Sequence, residues 1–356
     1  MKILVIGNGL VGGFISKTLR NEGYVVATLD NNPGADYMLD ATDLQQVQRL
    51  VKAVQPDRIV CAVPGFVGYK VLENSIKCGV DVVDISFGPE NIFGLHDLAV
   101  EHGVTAIVDI GLAPGMPGVI SGHANKASPL HTIICEVGGV PVDDYAPYFY
   151  KAPFSPIDVI EEYTRPARYK ESGTIKQVCP LEGPAKMESA FQDKYPVEAI
   201  LTDGLRSMLI SMPNISSMYE ITTRDSRHMG VMRGMYNNEC FEDDYIKDTS
   251  AALIGAWKYL PGEKDRVLFN IALHDAKGIE TTWMMEDVAQ NGDSSMSRTT
   301  GLVATGALNY FNLNKGKFQP GIVTPELLGT YDGALEYLVN YQSEHGILYK
   351  KYNTTT

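Results

Sequence analysis

Cysteine is scarce in this chain and poorly placed for chemistry. The five residues, Cys61, Cys78, Cys135, Cys179 and Cys240, form no Cys-x-x-Cys pair and have no histidine ladder beside them. That excludes a zinc finger or ribbon and a disulfide framework, and the cysteines read as reduced, mostly buried thiols. No apolar run is long enough to span a bilayer, and Met1-Lys2 leads straight into an apolar stretch with no room for a secretory leader. The expectation is a cytoplasmic protein with no membrane partner. Positive charge is also short: 30 Lys and Arg against 43 Asp and Glu leave a net charge of −13, which makes nucleic acid and anionic lipid poor partners. Internal repeats, low-complexity tracts, a P-loop, a Ser-His-Asp set and a metal-ligand cluster are all missing.

What the chain does have is a first stretch of thirty residues with a clear grammar. Ile3-Leu4-Val5-Ile6 is a short apolar run, Gly7-Asn8-Gly9-Leu10-Val11-Gly12 follows, then a helical pattern, then Tyr24 to Leu29 ending on Asp30. Strand, glycine turn, helix and strand in that order suit a dinucleotide. Gly7 makes the tight turn, Gly9 lets backbone approach a pyrophosphate, and Gly12 lets helix and sheet pack closely. The helix N-terminus turns free N–H groups and a positive dipole end toward the phosphates. Asp30 lies about twenty residues on, where a carboxylate accepts from a ribose hydroxyl and repels a 2′-phosphate. NAD is therefore expected over NADP, with FAD, whose proteins use the same turn, as the alternative.

Beyond Asp30 strands and helices alternate. Strands are expected at Tyr37 to Thr42, Arg58 to Val63, Asp81 to Ser86 and Thr105 to Ile110, with helices over Asp43 to Ala53, Gly68 to Lys77 and Leu95 to His102. Continuous apolar strands between helices mean a parallel sheet covered on both faces, with ligands beyond its carboxyl ends. The cofactor-binding set expected there is Gly7, Asn8, Gly9, Leu10, Val11, Gly12, Asp30, Asn31, Asp40, Ala41, Ala62, Val63, Pro64 and Ser86. From His131 the pattern changes to strands with few intervening helices: Thr132 to Val137, Tyr169 to Val178 as a hairpin about Ser172-Gly173, Ser217 to Thr223, Arg266 to His274 and Ile279 to Glu286. Helices are expected at Pro156 to Tyr163, Gly204 to Ser211, Thr249 to Leu260 and Ser294 to Phe311. A tail helix over Asp332 to Glu344 and a strand Ile347 to Tyr352 return to the first domain. A length of 356 residues exceeds what one core supports.

At Val108-Asp109-Ile110-Gly111-Leu112-Ala113-Pro114-Gly115-Met116 a resemblance emerges. With the glycine turn, Val137-Gly138-Gly139-Val140-Pro141, Glu162-Tyr163-Thr164 and Thr202-Asp203-Gly204-Leu205-Arg206-Ser207, the chain resembles the saccharopine dehydrogenase-like superfamily over nearly its whole length, and within it the lysine 6-dehydrogenases. One departure stands out. Those relatives carry an Arg-Tyr-x-Gly-His-like turn where this chain has Thr223-Arg224-Asp225-Ser226-Arg227-His228.

The resemblance implies an α/β fold: a Rossmann dinucleotide-binding domain plus an α+β substrate domain with an antiparallel sheet. The first is expected over 1–120, completed by 312–356, and the second, through which a homodimer forms, over 121–311. It also implies a nicotinamide-dependent oxidoreductase acting at a carbon–nitrogen bond of a small amino-acid-derived amine, in the direction of oxidation or of condensing an aldehyde with an amine. Such chemistry needs a base for the amine proton, because an aliphatic ammonium has a pKa of about 10.4. Asp109, at the end of the sixth strand, His228, at the start of a Met-rich helix, and Tyr163 are the candidate catalytic groups. Arg206, with a planar fork suited to an α-carboxylate, Asp203 beside it and Tyr150 in an aromatic loop are the candidate substrate contacts. Each has an ordinary structural competitor, a cap, an internal ion pair or core packing, and a non-catalytic NAD-binding sensor is the reading from outside the enzyme class.

Overall fold

A computed structural model of the chain describes residues 1–152, 156–182, 187–260 and 262–355. The apolar runs of the first third become parallel strands because both of their faces are buried: Ile3, Leu4, Val5, Ile6, Ile59, Val82 and Ala106 have no exposed surface. Seven strands run Gly321–Val323, Thr105–Ile107, Val82–Asp84, Arg58–Cys61, Lys2–Ile6, Val25–Asp30, Tyr37–Met38 across the sheet, and every adjacent pair is parallel. The strand Lys2–Ile6 has Val25–Asp30 on one side and Arg58–Cys61 on the other, so the chain order reverses at its carboxyl end. That is the switch point at which such sheets bind ligands.

The compact unit built on this sheet contains Met1–His123 and Arg298–His345. Helix Leu10–Asn21 follows the glycine turn, and Asp43 caps helix Leu44–Val54 by accepting from the Gln45 and Gln46 N–H groups at 2.9 and 3.2 Å. Helix Gly65–Ile76 begins directly after Pro64, three residues earlier than its pattern suggests. The strand Gly321–Val323 is too short to announce itself by periodicity, and Thr105–Ile107 ends two residues before Asp109.

The second unit contains Ala124–Ser297 and Gly346–Thr356. Its sheet runs Tyr349–Thr355, Ile279–Val288, Asp265–Asp275, Leu130–Pro141, Ser217–Asp225, Ala167–Glu171, Thr174–Val178, with Val197–Leu201 also pairing Ser217–Asp225. The hairpin about Ser172-Gly173 forms as expected. Two expectations are corrected. The sheet is mixed, because Leu130–Pro141 and Ser217–Asp225 pair in parallel, which the long crossover between them permits. The tail strand does not return to the first sheet: Tyr349–Thr355 lies antiparallel to Ile279–Val288, where Lys351 covers the Trp283 ring at 5.1 Å. The segment Gly204 to Ser211 is mostly turn, its helix reduced to Met208–Ser211.

Candidate active site

Two assemblies of polar groups stand out, one in each unit. In the first, the three glycines of the turn differ in what they leave open. A Cβ on Gly7, whose φ is +96°, would lie 2.2 Å from the Ala62 carbonyl oxygen, and one on Gly12 would lie 2.0 Å from the Gly7 carbonyl oxygen. Both are glycine because the protein's own backbone fills the space. Around Gly9 nothing lies within 4 Å and its φ of −73° suits any residue. Its bareness has no internal cause and fits an external group laid against the backbone at the N-terminus of helix Leu10–Asn21.

Asp30 is held beside this turn. Its Oδ2 accepts from the Asn8 N–H at 2.6 Å, and its Oδ1 accepts from the Asn32 N–H at 2.8 Å and the Asn32 amide at 3.1 Å. Asn8 also donates to the Gly34 carbonyl at 3.1 Å, and Asn31 accepts from Asn32 at 2.9 Å. Leu10 is exposed, Val11 and Val63 are half-buried, and Pro64 ends the loop after Arg58–Cys61. Asp40 accepts from the Thr42 N–H and hydroxyl at 2.8 and 2.7 Å, Ala41 takes an Asn74 amide hydrogen at 3.0 Å, and the Ala62 N–H bonds the Ile6 carbonyl at 2.7 Å. Ser86 is buried with its hydroxyl on Asp84 at 2.8 Å. The residues present fit an adenine dinucleotide: a bare-backbone helix start for the pyrophosphate and a fixed carboxylate for a ribose. Asp109 belongs to the same unit, buried and left-handed at φ +51° just past Thr105–Ile107. Few residues other than glycine adopt that conformation, and those that do cluster at functional sites.

The second assembly unites three of the six catalytic and substrate candidates. The His228 ring lies 4.5 Å from the Tyr150 ring, stacked at 24°, with Trp257 edge-on to Tyr150 at 5.3 Å. His228 Nδ1 is 2.8 Å from the Tyr148 carbonyl and Nε2 is 2.8 Å from the Tyr163 hydroxyl. A carbonyl only accepts, so Nδ1 carries the hydrogen, and Nε2 accepts from the Tyr163 O–H. Burial, reinforced by the nearby Arg224 charge, lowers His228 to about 3, while burial pushes Tyr163 up to about 12 against the pull of Arg224. Both rings are therefore neutral at pH 7.

Arg224 organises the surroundings. It pairs with Glu162, donates to the Thr223 carbonyl at 3.2 Å and lies 5.3 Å from the Tyr150 ring centroid. Burial raises Glu162 above its ordinary range despite that partner. Sequence reasoning noted Arg224 only as part of a divergent turn. Its burial on strand Ser217–Asp225 belongs to the fold, and the flanking Thr222, Thr223, Asp225 and Ser226 give no signal of it in the sequence.

The other candidates lie elsewhere in the second unit. Asp203 takes the full fork of Arg168, at 2.7 Å from Nε and 2.8 Å from Nη2. Arg206 is buried with φ +49°. Below them Glu220 accepts from the Thr202 hydroxyl and the Gly204 N–H, and burial, aided by Glu162, pushes it up to about 7.

Glu220 and His228 give the stability two opposed pH limbs. His228 binds its proton more readily in the unfolded chain, so its contribution is lost as pH falls from 6.5 toward 3; Glu220 binds its proton more readily when folded, so its contribution is lost as pH rises from 4.5 through 7. Each limb has a slope of at most about 1.4 kcal/mol per pH unit. Urea denaturation across pH 4 to 8 should show Glu220→Gln flattening the upper limb and leaving the lower. A variant as steep as the parent between pH 5 and 7 contradicts this.

The family described as "Saccharopine dehydrogenase C-terminal domain" matches residues 111–347. Alpha-aminoadipic semialdehyde synthase of Mus musculus is 23% identical over 195 residues, 50% of this chain and 21% of that protein, so this chain spans about a fifth of that relative's length. Carboxynorspermidine synthase of Vibrio alginolyticus is 23% identical over 330 residues, covering 81% of this chain and 78% of that one. Among solved structures, apo saccharopine dehydrogenase (L-Glu forming) from Saccharomyces cerevisiae superposes with a TM-score of 0.76 at 17% identity, covering 99% of this chain and 100% of that one. Homospermidine synthase from Legionella pneumophila, in complex with NAD, has a TM-score of 0.64 at 12% identity, covering 99% and 91%. Among the described residues no helix is long and apolar enough to cross a membrane, and no cluster of His, Cys, Asp and Glu could hold a metal ion. A match across two thirds of the chain, on a parallel sheet with a glycine turn at its switch point, makes this protein a member of the saccharopine dehydrogenase family.

Proposed function

We propose that the chain is an NAD-dependent oxidoreductase acting on the carbon–nitrogen bond of an amino-acid-derived amine. The observation that carries this reading is the bare backbone at Gly9 beside a carboxylate fixed by Asn8 and Asn32 in a chain of this family. Bound NAD supplies the hydride acceptor. The protein's part is to hold the amine and manage its proton. His228, neutral and anchored by the Tyr148 carbonyl, fixes the Tyr163 hydrogen, and Arg224 donates to the Tyr163 oxygen, which leaves one phenol lone pair to accept from a substrate ammonium. The step from Tyr163 to His228 alone is steeply uphill, given values of about 12 and about 3, so we assign this pair to orientation; independently, the buried, left-handed Asp109 of the first unit is our candidate base. Asp203, committed to Arg168, holds the loop that carries Arg206.

A second reading, the reductive condensation of an aldehyde with an amine, is favoured by the match to carboxynorspermidine synthase over most of both chains. We take the working form to be a homodimer, and the five free cysteines support a reducing compartment such as the cytoplasm. Absorbance at the NADH band with a panel of amines, and with NADH plus aldehyde and amine pairs, separates the readings. An oxidative enzyme makes NADH from NAD and a single amine; a condensing one consumes NADH only when both partners are present. Tight cofactor binding with no turnover on either panel contradicts the catalytic proposal and favours a sensor.

A further inference from the structure

Strands Val25–Asp30 and Tyr37–Met38 are parallel neighbours, yet only residues 31–36 connect them. Parallel strands usually need a crossover of about a dozen residues or more, most often a helix that packs back onto the sheet. Here that packing is missing: Asn31, Asn32, Pro33, Gly34 and Asp36 are exposed and Ala35 is half-buried. Polar bonds hold the connection instead, at both ends and in the middle.

At the near end Asn32 gives its N–H and its amide to Asp30 Oδ1, at 2.8 and 3.1 Å. At the far end Asp36 accepts from the N–H and the hydroxyl of buried Thr28, at 2.9 and 3.0 Å, and returns its own N–H to that hydroxyl at 2.9 Å. The middle is tied from outside, where the Asn8 carboxamide donates to the Gly34 carbonyl at 3.1 Å. Gly34 has φ +107° and a Cβ there would meet nothing within 4 Å, so glycine is needed for the backbone direction that offers this carbonyl and not for space. The Asn8 backbone N–H donates to Asp30 Oδ2 at 2.6 Å. One residue of the glycine turn thus reaches the ribose carboxylate twice, directly through its backbone and indirectly through Gly34 and Asn32.

We infer that the Asn8 side chain is a positioning residue for the dinucleotide: it holds residues 31–36 so that Asn32 keeps Asp30 aimed before the cofactor arrives. The inference rests on the cofactor site proposed above and adds to it a coupling between the turn and the carboxylate. A carboxylate held on both oxygens loses little rotamer freedom on meeting a ribose, and the tie at Gly34 keeps the outer of the two clamps in place.

The test uses the full chain, with NADH as the probe. Asn8→Ala removes the carboxamide and keeps the backbone N–H on Asp30. Its melting temperature without nucleotide should stay within about 2 °C of the parent's, since the lost bond is exposed. Hydrogen–deuterium exchange of the free protein should rise in the peptide covering residues 31–36 and stay unchanged in helix Leu10–Asn21. NADH affinity should fall about three- to tenfold, the range of one neutral hydrogen bond. In an Asp30→Ala background the same substitution should change NADH affinity less than about twofold, because the side chain acts through that carboxylate. A direct contact between Asn8 and the cofactor, or a role in the turn alone, gives the same fall in both backgrounds, and that result overturns the inference. Unchanged exchange over residues 31–36, or a melting temperature that drops by many degrees, overturns it too. The two claims fail differently: a parent that takes up no NADH removes the cofactor site and the positioning role with it, whereas a parent and an Asn8→Ala variant that bind NADH equally remove the role alone.

Discussion

Gly9→Val is expected to abolish NADH binding in a protein that still folds, whereas Gly12→Val is expected to damage the fold itself. The two glycines sit three residues apart in one turn, yet their surroundings differ. At Gly9 a new Cβ meets nothing within 4 Å, so the side chain enters only the space where a pyrophosphate would lie. The predicted loss is at least about 100-fold in affinity, roughly 2.7 kcal/mol, with a small fall in melting temperature from the changed helix cap. At Gly12 the Cβ would be 2.0 Å from the Gly7 carbonyl oxygen, and overpacking against backbone costs about 1–3 kcal/mol or more. Fluorescence titration and thermal denaturation on both variants check the contrast. Equal destabilisation by the two substitutions, or normal NADH binding by Gly9→Val, contradicts the assignment of the turn.

Asp30→Ala carries the next largest effect, and its sign depends on the cofactor. The carboxylate is fixed by the Asn8 N–H on one oxygen and by Asn32 on the other. Its ribose contact is therefore preorganised, and a hydrogen bond to a charged group contributes about 1.5–3 kcal/mol. Removing it should weaken NADH roughly ten- to 100-fold. The same change removes the negative charge that faces a 2′-phosphate, so NADPH should bind more tightly than before. Dissociation constants for both nucleotides in parent and variant give the answer directly. A parent that already prefers NADPH, or a variant that loses both nucleotides equally, shows that Asp30 does not choose between them.

How much of this could be read from residues follows from how local each signal is. The first sheet was legible because fully buried parallel strands are unbroken apolar runs, and because glycine spacing and Asp30 lie within thirty residues of one another. Gly321–Val323 was not, since three residues carry no period. The parallel pairing of Leu130–Pro141 with Ser217–Asp225 depends on a crossover that periodicity does not encode. The tail strand went to the second sheet because the edge strand Ile279–Val288 offered an unpaired ladder, a property of the folded sheet and not of the tail. Among site residues, Tyr150, Tyr163 and His228 were singled out separately, and only the fold shows that they form one cluster. Arg224 carries no such signal, because an arginine in a divergent turn reads as surface until its burial is known. Proximity in sequence pairs Asp203 with Arg206, whereas its carboxylate holds Arg168, thirty-five residues earlier.

The central claim is that the glycine turn and Asp30 together bind NAD. Calorimetric titration of the purified chain with NADH, and in parallel with NADPH, tests it most directly. The account predicts saturable uptake of NADH and binding at least tenfold weaker for NADPH; no heat of binding with either nucleotide contradicts it.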